Sequence, residues 1–466
     1  MKIKLKKNQE FTARIESITN LGFGVCRQDG TVIFVNSAVT GDLVRASIIK
    51  VASSYCIARV IEYIERSELR DYKRCENAKC RSCAYRDIKY SEELRIKRGE
   101  VEADFKKAGL SDITVLPVVP SPKLHEYRNK AQYPIARSKS GEYIIGFFAP
   151  KSHNVCEAAD CPIAPKIFGK IIETLRLFFK KHELSVYDET KGEGLLRHVY
   201  LRRGEVSREI LLTLVITEDS LPHSDELVST LISAFPDVSG ILINKNEDDT
   251  NVVLGKSYKL LYGRDHIFDT LAGVELKLSA PSFYQVNHDA AELLYAKARE
   301  LAALEPTDTL LDLYCGVGSI GLSMARDAAE LFGIEIVESA VECAKENASA
   351  CGIKNARFYS GDAADCERML DAAEAAEGKK ITPDVVILDP PRAGCDERLL
   401  NFVSSLSPKR IVYISCNPAT LARDVAIMRK LGFNNSDVTP FDLFPGTGHV
   451  ESVVSLTRGF DVDMRR

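Results

Sequence analysis

The chain has 466 residues, 45% of them hydrophobic and 27% charged, a composition that suits a globular protein of two to four domains. Its apolar runs fall short of the roughly 20 residues of a membrane-spanning helix, and its basic start lacks the apolar stretch of a signal peptide, so a cytoplasmic protein without a membrane partner is expected. A net charge of −4 excludes a uniformly basic nucleic-acid binder, and 13 cysteines in such a chain point to metal binding or chemistry before disulfides.

Residues 1–62 alternate apolar and polar side chains in short runs at 11–18, 31–35, 43–51 and 55–64, with Asp29-Gly30 as a hairpin turn. That pattern predicts a five-stranded β-barrel of the OB type. Cys75, Cys80 and Cys83 follow in one short polar run, and then a charged amphipathic helix over 91–109 that stops at Gly109. Residues 121–140 carry Lys123, Arg128, Lys130, Arg137 and Lys139 against the single acid Glu126, with Tyr127 and Tyr133 interleaved. Such a stretch suits stacked bases and neutralised phosphates; a solvated charged face fits it equally well. A helix over 163–181 and a basic strand over 197–203 continue a mixed α+β region to about 278.

From about 279 strands and helices alternate: strands at 310–314, 330–336, 384–389 and 410–415, helices at 320–329, 339–351 and 419–430. This is the signature of a doubly wound, largely parallel sheet that binds ligands at the carboxyl ends of its strands. Gly316 and Gly318 follow the first of these strands and open a helix, where glycine lets backbone amides approach a ligand. Glu335 stands 17 residues beyond Gly318, near the spacing of a ribose-binding acid. Asp362, after the next strand, is placed near an adenine. No phosphate-binding lysine follows the loop, which favours S-adenosylmethionine, although other nucleotide folds share a Gly-x-Gly turn.

Three short runs carry the chemistry: 388–392 (Leu-Asp-Pro-Pro-Arg), 415–418 (Ser-Cys-Asn-Pro) and 448–451 (Gly-His-Val-Glu). Cys416 sits between an apolar strand and a helix start, where the helix N-terminus is expected to lower a thiol pKa. Glu451 is the candidate base, His449 the second candidate, and Asp389 would hold a polar edge of the substrate. A thiol, a base and a methyl-donor loop together fit methylation of uracil C5. That carbon is a poor nucleophile until a thiolate adds at C6, and a base must then remove its proton.

With Gln285-Val286-Asn287, 312–318, 388–394 and 415–424 added, these runs resemble the RNA 5-methyluridine methyltransferases, and the barrel and cysteines resemble their ribosomal-RNA branch. The resemblance implies a multidomain α/β protein. Its parts would be an OB-like TRAM β-barrel (1–62), a central α+β domain with an iron–sulfur cluster and RNA contacts (63–278), and a C-terminal Rossmann-like S-adenosylmethionine methyltransferase (279–466). Residues 91–120 would pack with the methyltransferase. It implies Cys416 as nucleophile, Glu451 as proton acceptor, Gln285, Tyr314, Glu335 and Asp389 around the methyl donor and uracil, and Phe283 beside the target base. It further implies a [4Fe–4S] cluster on Cys75, Cys80, Cys83 and Cys161, with 23S ribosomal RNA as partner and no obligate protein partner. The gap from Cys75 to Cys80 is one residue shorter than the family's, Cys156 competes as fourth ligand, and four cysteines would also suit zinc. The alternatives are a transfer-RNA uracil-5-methyltransferase, an amino-directed adenine or guanine methyltransferase, and a non-catalytic RNA-binding assembly factor. The amino-directed enzymes need no nucleophilic cysteine and place an aromatic where this chain has Arg392.

Overall fold

The computed structural model describes residues 5–71, 75, 77, 80, 82–149, 152–248 and 252–458. The N-terminal sheet has six strands: β1 (Glu10–Arg14), β2 (Ser17–Ile18), β3 (Gly24–Gln28), β4 (Thr31–Asn36), β5 (Leu43–Val51) and β6 (Tyr55–Glu65), in the order β1-β5-β6-β4-β3-β2. Strict alternation in β4 buries Ile33 and Val35 in a core shared with Phe11, Ile15, Val44 and Ile48. Asp29 and Gly30, both with positive φ (48° and 77°), form the two-residue turn between β3 and β4. The sixth strand arises because the apolar run at 11–18 is cut in two. Ile15 bonds Asp42, whereas the Glu16 amide donates to Val25, so the chain leaves β5 there and joins β3.

Helix α1 (Tyr90–Lys107) comes next. A seven-stranded sheet then follows, ordered β13-β12-β11-β10-β7-β8-β9. Its members are β7 (Lys130–Arg137), β8 (Tyr143–Phe148), β9 (Val155–Glu157), β10 (Leu196–Arg203), β11 (Ile210–Ile216), β12 (Val238–Lys245) and β13 (Ser257–Gly263). Helices α2 (Lys166–Lys181) and α3 (Ser224–Ala234) accompany it; α2 buries Phe168, Ile171, Ile172, Leu175 and Phe179, one apolar stripe at helical spacing. Tyr127 and Tyr133 lie in the interior, 4% and 0% exposed, so they are not the stacking platform their spacing suggested. Tyr133 packs its ring against Phe147, with centroids 5.0 Å apart.

After the hairpin β14 (His266–Leu271) and β15 (Val274–Ser279) and helix α4 (His288–Ala302), the doubly wound sheet begins. Its elements are β16 (Thr309–Leu313), α5 (Ser319–Met324), β17 (Glu330–Glu335), α6 (Glu338–Ala350), β18 (Ala356–Ser360), α7 (Cys366–Glu377), β19 (Val385–Leu388), α8 (Glu397–Ser405), β20 (Arg410–Ser415), α9 (Pro418–Lys430), β21 (Phe433–Asn435), β22 (Thr439–Phe441) and β23 (Glu451–Arg458). Strands run β18-β17-β16-β19-β20-β23-β21 with β22 on β23; β16 to β20 are parallel and β23 is antiparallel to β20. Helix α5 is shorter than its sequence pattern suggests, because the Asn355 side chain takes the carbonyls of Ala325 and Ala328 that a longer helix would use. The order turns back on itself between β16 and β19, which opens a crevice at their carboxyl ends.

Helix α1 lies on this sheet. Val101, Phe105, Leu110 and Val115 share a core with Leu399, Leu421 and Val425, and Val115 and Val119 bridge to Val438 and Phe441. Among the described residues no helix is long and apolar enough to cross a membrane.

Candidate active site

The first wall of the crevice is the turn after β16. Tyr314 holds a φ of +65°, uncommon for a bulky residue, and Gly316 and Gly318 also take positive φ before α5 starts. Glu335, at the end of β17, accepts the Gly316 amide on Oε2 (3.1 Å) and the Val337 amide on Oε1 (2.9 Å), which ties the two strand ends together. Asp312, not singled out by the sequence, lies under the loop and accepts the Gly321 amide on Oδ2 at 2.9 Å. Burial pushes its carboxyl up to about 8, and its Oδ1 is buried without a hydrogen-bond partner. A Cβ at Gly321 would stand 2.6 Å from Asp312 Oδ2. Gly321 also completes a Gly-x-Gly-x-x-Gly spacing with Gly316 and Gly318, so glycine spacing does not separate methyl donor from dinucleotide. Asp362 is exposed just beyond β18.

Gln285 is 7% exposed and its carbonyl accepts the Asn129 side chain, whereas Phe283, two residues away, is 63% exposed. Asn287 caps α4 and donates to Ser121 Oγ and the Leu443 carbonyl, which fixes this loop to the far side of the crevice.

The second wall joins three strand ends. Asp389 follows β19, Cys416 follows β20, and Glu451 opens β23 opposite Phe441. The 389–395 loop is strapped to α9: Asn417 Nδ2 donates to the Arg392 carbonyl (2.9 Å), Arg423 to the carbonyls of Ala393 and Cys395, and Asp424 accepts the Cys395 amide. That explains why the run 415–424 acts as one unit. Its helix holds the neighbouring Asp-Pro-Pro loop.

Electrostatics unite the three groups. Burial pushes the Glu451 carboxyl up to about 8, with Asp389 adding to the rise and Arg392 opposing it. Burial likewise pushes Asp389 up to about 7. The Cys416 thiol rises to about 11, through burial first, then the charges of Glu451 and Asp389, against a lowering by Arg392. The helix N-terminus therefore does not leave Cys416 an activated thiolate, because burial first, and then two carboxylates from other strands, outweigh it. His449 is exposed, with both ring nitrogens 3.1–3.2 Å from Arg392 Nη2, and loss of solvent followed by the Arg392 charge lowers its pKa. The buried Tyr295, whose OH meets Ser319 Oγ at 2.8 Å and feels the charges of Asp389, Asp312 and Glu451, belongs to the site although its sequence position did not suggest it.

The cysteine region lies next door. Cys75, Cys80, Cys83 and Cys161 line one cavity of about 870 Å³ with Arg86, Arg128 and Lys130, while Cys156 is buried in β9 outside that lining. Burial and then the charges of Cys161, Cys80 and Cys75 push Cys83 up to about 12. Among the described residues no three His, Cys, Asp or Glu side chains converge on a single ion's position. The connection 442–450 passes both regions. Tyr85 donates its amide to the Gly446 carbonyl, a Cβ on Gly446 would be 3.7 Å from Cys83 Cβ, and one on Gly448 would be 2.0 Å from the Asn20 carbonyl.

A parallel sheet with its crevice walled in this way has the α/β architecture of a methyltransferase. Residues 89–459 match the family model described as tRNA (uracil-5-)-methyltransferase. An uncharacterized RNA methyltransferase of Halalkalibacterium halodurans is 37% identical, over 97% of this chain and 98% of its own. One of Clostridium acetobutylicum is 36% identical over 98% of both. The crystal structure of Pyrococcus abyssi tRNA (uracil-54, C5)-methyltransferase with S-adenosyl-L-homocysteine superposes with a TM-score of 0.77 at 27% identity, covering 96% of this chain and 100% of that one. The chain belongs to the tRNA (uracil-5-)-methyltransferase family, and it is an S-adenosylmethionine-dependent RNA uracil-5-methyltransferase.

Proposed function

We propose that the chain methylates C5 of a particular uridine in 23S ribosomal RNA, with Cys416 as nucleophile, Glu451 as the acceptor of the C5 proton and Asp389 holding the uracil edge. The observation that carries this reading is the thiol of Cys416 set against the buried carboxylate of Glu451 and the half-buried one of Asp389 at the ends of neighbouring strands. The assigned regions are a TRAM-type unit (1–62), a central RNA-binding and cluster unit (63–278, with 91–120 on the methyltransferase) and the methyltransferase (279–466).

The crevice suits S-adenosylmethionine: Gly316 has open space where a side chain would be, Glu335 ties down the loop, and Asp312 keeps an unpartnered oxygen. Gln285, Tyr314, Gly316, Gly318, Glu335, Asp362 and Asp389 would hold it. When bound, the donor supplies the electrophilic methyl and a positive charge that lowers the pKa of the thiol and both carboxylates. The Cys416 thiolate forms a bond to C6, and the displaced pair makes C5 nucleophilic. Once C5 is methylated, Glu451 takes its proton, the pair restores the C5–C6 double bond and the sulfur leaves. Phe283, exposed beside Gln285, would pack on the extruded base.

Methyl-labelled S-adenosylmethionine, offered with unmodified 23S ribosomal RNA or transfer RNA, tests this reading by nucleoside analysis. 5-Methyluridine in the ribosomal RNA is expected. Its appearance only in transfer RNA would move the substrate, and methylated adenine or guanine would overturn the mechanism.

Cys75, Cys80, Cys83 and Cys161 are assigned to a [4Fe–4S] cluster. Four thiols spread around one cavity, with three cations to balance their charge, fit a cluster better than one ion. Anaerobically purified protein is expected to hold about four irons per chain with broad visible absorbance that Cys83→Ser abolishes; stoichiometric zinc without iron would refute the assignment.

A further inference from the structure

The candidate base sits at the end of a connection that its own strands do not immobilise. β22 and β23 pair at Phe441 and Glu451, and residues 442–450 loop between them. Within the loop the Thr447 amide and hydroxyl donate to the Phe444 carbonyl, and further anchors come from other elements.

Helix α1 grips it from outside. Lys97 is fully buried, and its ammonium donates to Asp442 Oδ1 at 2.7 Å, Glu93 Oε1 at 2.8 Å and the Phe444 carbonyl at 3.2 Å. Those three bonds use the whole donor capacity of a lysine. Glu93, also buried, accepts the Gly446 amide on the same Oε1 at 2.7 Å. One cation on a helix some 345 residues upstream thus reaches the loop at 442 and 444 directly, and at 446 through Glu93. Asp442 immediately follows Phe441, the residue opposite Glu451. A buried ion pair is weak evidence for stability, since well-packed apolar groups often serve as well. Charge-assisted bonds of fixed direction to successive points of one loop suit positioning.

We infer that Lys97, acting with Glu93, is a positioning residue for Glu451: it fixes the root of the 442–450 loop so that the carboxylate meets the C5 proton of the methylated adduct. The inference rests on the reading of Glu451 as proton acceptor. It has a signature that a merely structural role would not produce. If the base is displaced while the nucleophile stays in place, methylation proceeds and the enzyme stalls while joined to its product.

The experiment compares wild type, Lys97→Met, Glu93→Gln and Glu451→Gln with substrate RNA and S-adenosylmethionine. Steady-state rates are measured, the covalent enzyme–RNA fraction is resolved on denaturing gels, and thermal melting reports folding. Lys97→Met is expected to lower kcat about tenfold with KM for RNA within about twofold, and to accumulate covalent complex. Glu93→Gln, which keeps an oxygen for the Gly446 amide, is expected to do the same more weakly. Folded variants with the wild-type rate and covalent fraction would overturn the inference, and so would failure of both to fold, which would make the triad a stability element. If Glu451→Gln itself accumulates no complex, the acceptor reading fails first and takes this inference with it. If it does and the α1 variants do not, Lys97 alone is wrongly assigned.

Discussion

Cys416→Ala is expected to abolish 5-methyluridine formation, by a factor on the order of 10⁴ or more, as when a covalent nucleophile is removed from a site that depends on it. The same variant is expected to lose covalent capture by RNA containing 5-fluorouridine, whose C5 has no removable proton, so that the enzyme stays attached at C6. Both losses follow from one atom, since among the described residues the other sulfurs near the crevice are enclosed. Cys315 and Cys395 are buried, and burial pushes Cys395 up to about 12. The substitution should leave the fold intact: Asn417, not Cys416, caps α9 and straps the Arg392 carbonyl. An unchanged melting temperature and unchanged donor binding would show that only chemistry was removed. Methylation surviving in this variant would sink the covalent mechanism.

Glu451→Gln is expected to act later in the cycle and to leave a different trace. Glutamine keeps the shape of the side chain but cannot take a proton, so turnover should fall by about 10²–10⁴, the usual share of a positioned base. The methylated adduct should pile up. A second effect has a definite sign. The Glu451 charge is, after burial, the largest influence raising the Cys416 thiol. Removing it lowers the thiol pKa from about 11, so the thiolate fraction rises above pH about 8, where Glu451 would otherwise carry its charge. The pH profile of adduct formation should therefore shift to lower pH than in the wild type, even as product release slows. A profile that moves upward, or a variant without accumulated adduct, would remove Glu451 from both roles.

Much of the doubly wound region was legible because its strands are short apolar runs closed by polar turns. The strand Arg410–Ser415 and the N-terminal strand Leu43–Val51 begin and end where their patterns do. Cys416, Asp389 and Glu451 were visible for the same reason, each marking the polar end of such a run. What escaped was whatever depends on a distant segment. The helix start before α9 promised a lowered thiol pKa, but burial in the assembled crevice reverses it, helped by carboxylates that arrive from β19 and β23. Lys97 and Glu93 sit in a helix so rich in charge that every side chain reads as solvated, yet both are fully enclosed. Tyr295 looks like ordinary core of α4 until the crevice is assembled around it. At Tyr127, in the connection before β7, and Tyr133, within it, burial overrode a pattern that would suit an exposed basic face equally well.

The raised thiol of Cys416 also bears on how the protein survives between encounters with its substrates. With its pKa raised to about 11, the thiol is protonated at neutral pH. Peroxides and alkylating electrophiles attack the ionised form, so the idle Cys416 presents them with little target. Burial first, and the acidic neighbours after it, keep the sulfur protonated, and positive charge arriving in the crevice would favour the thiolate. Readiness to react is thereby confined to the interval in which the crevice is occupied.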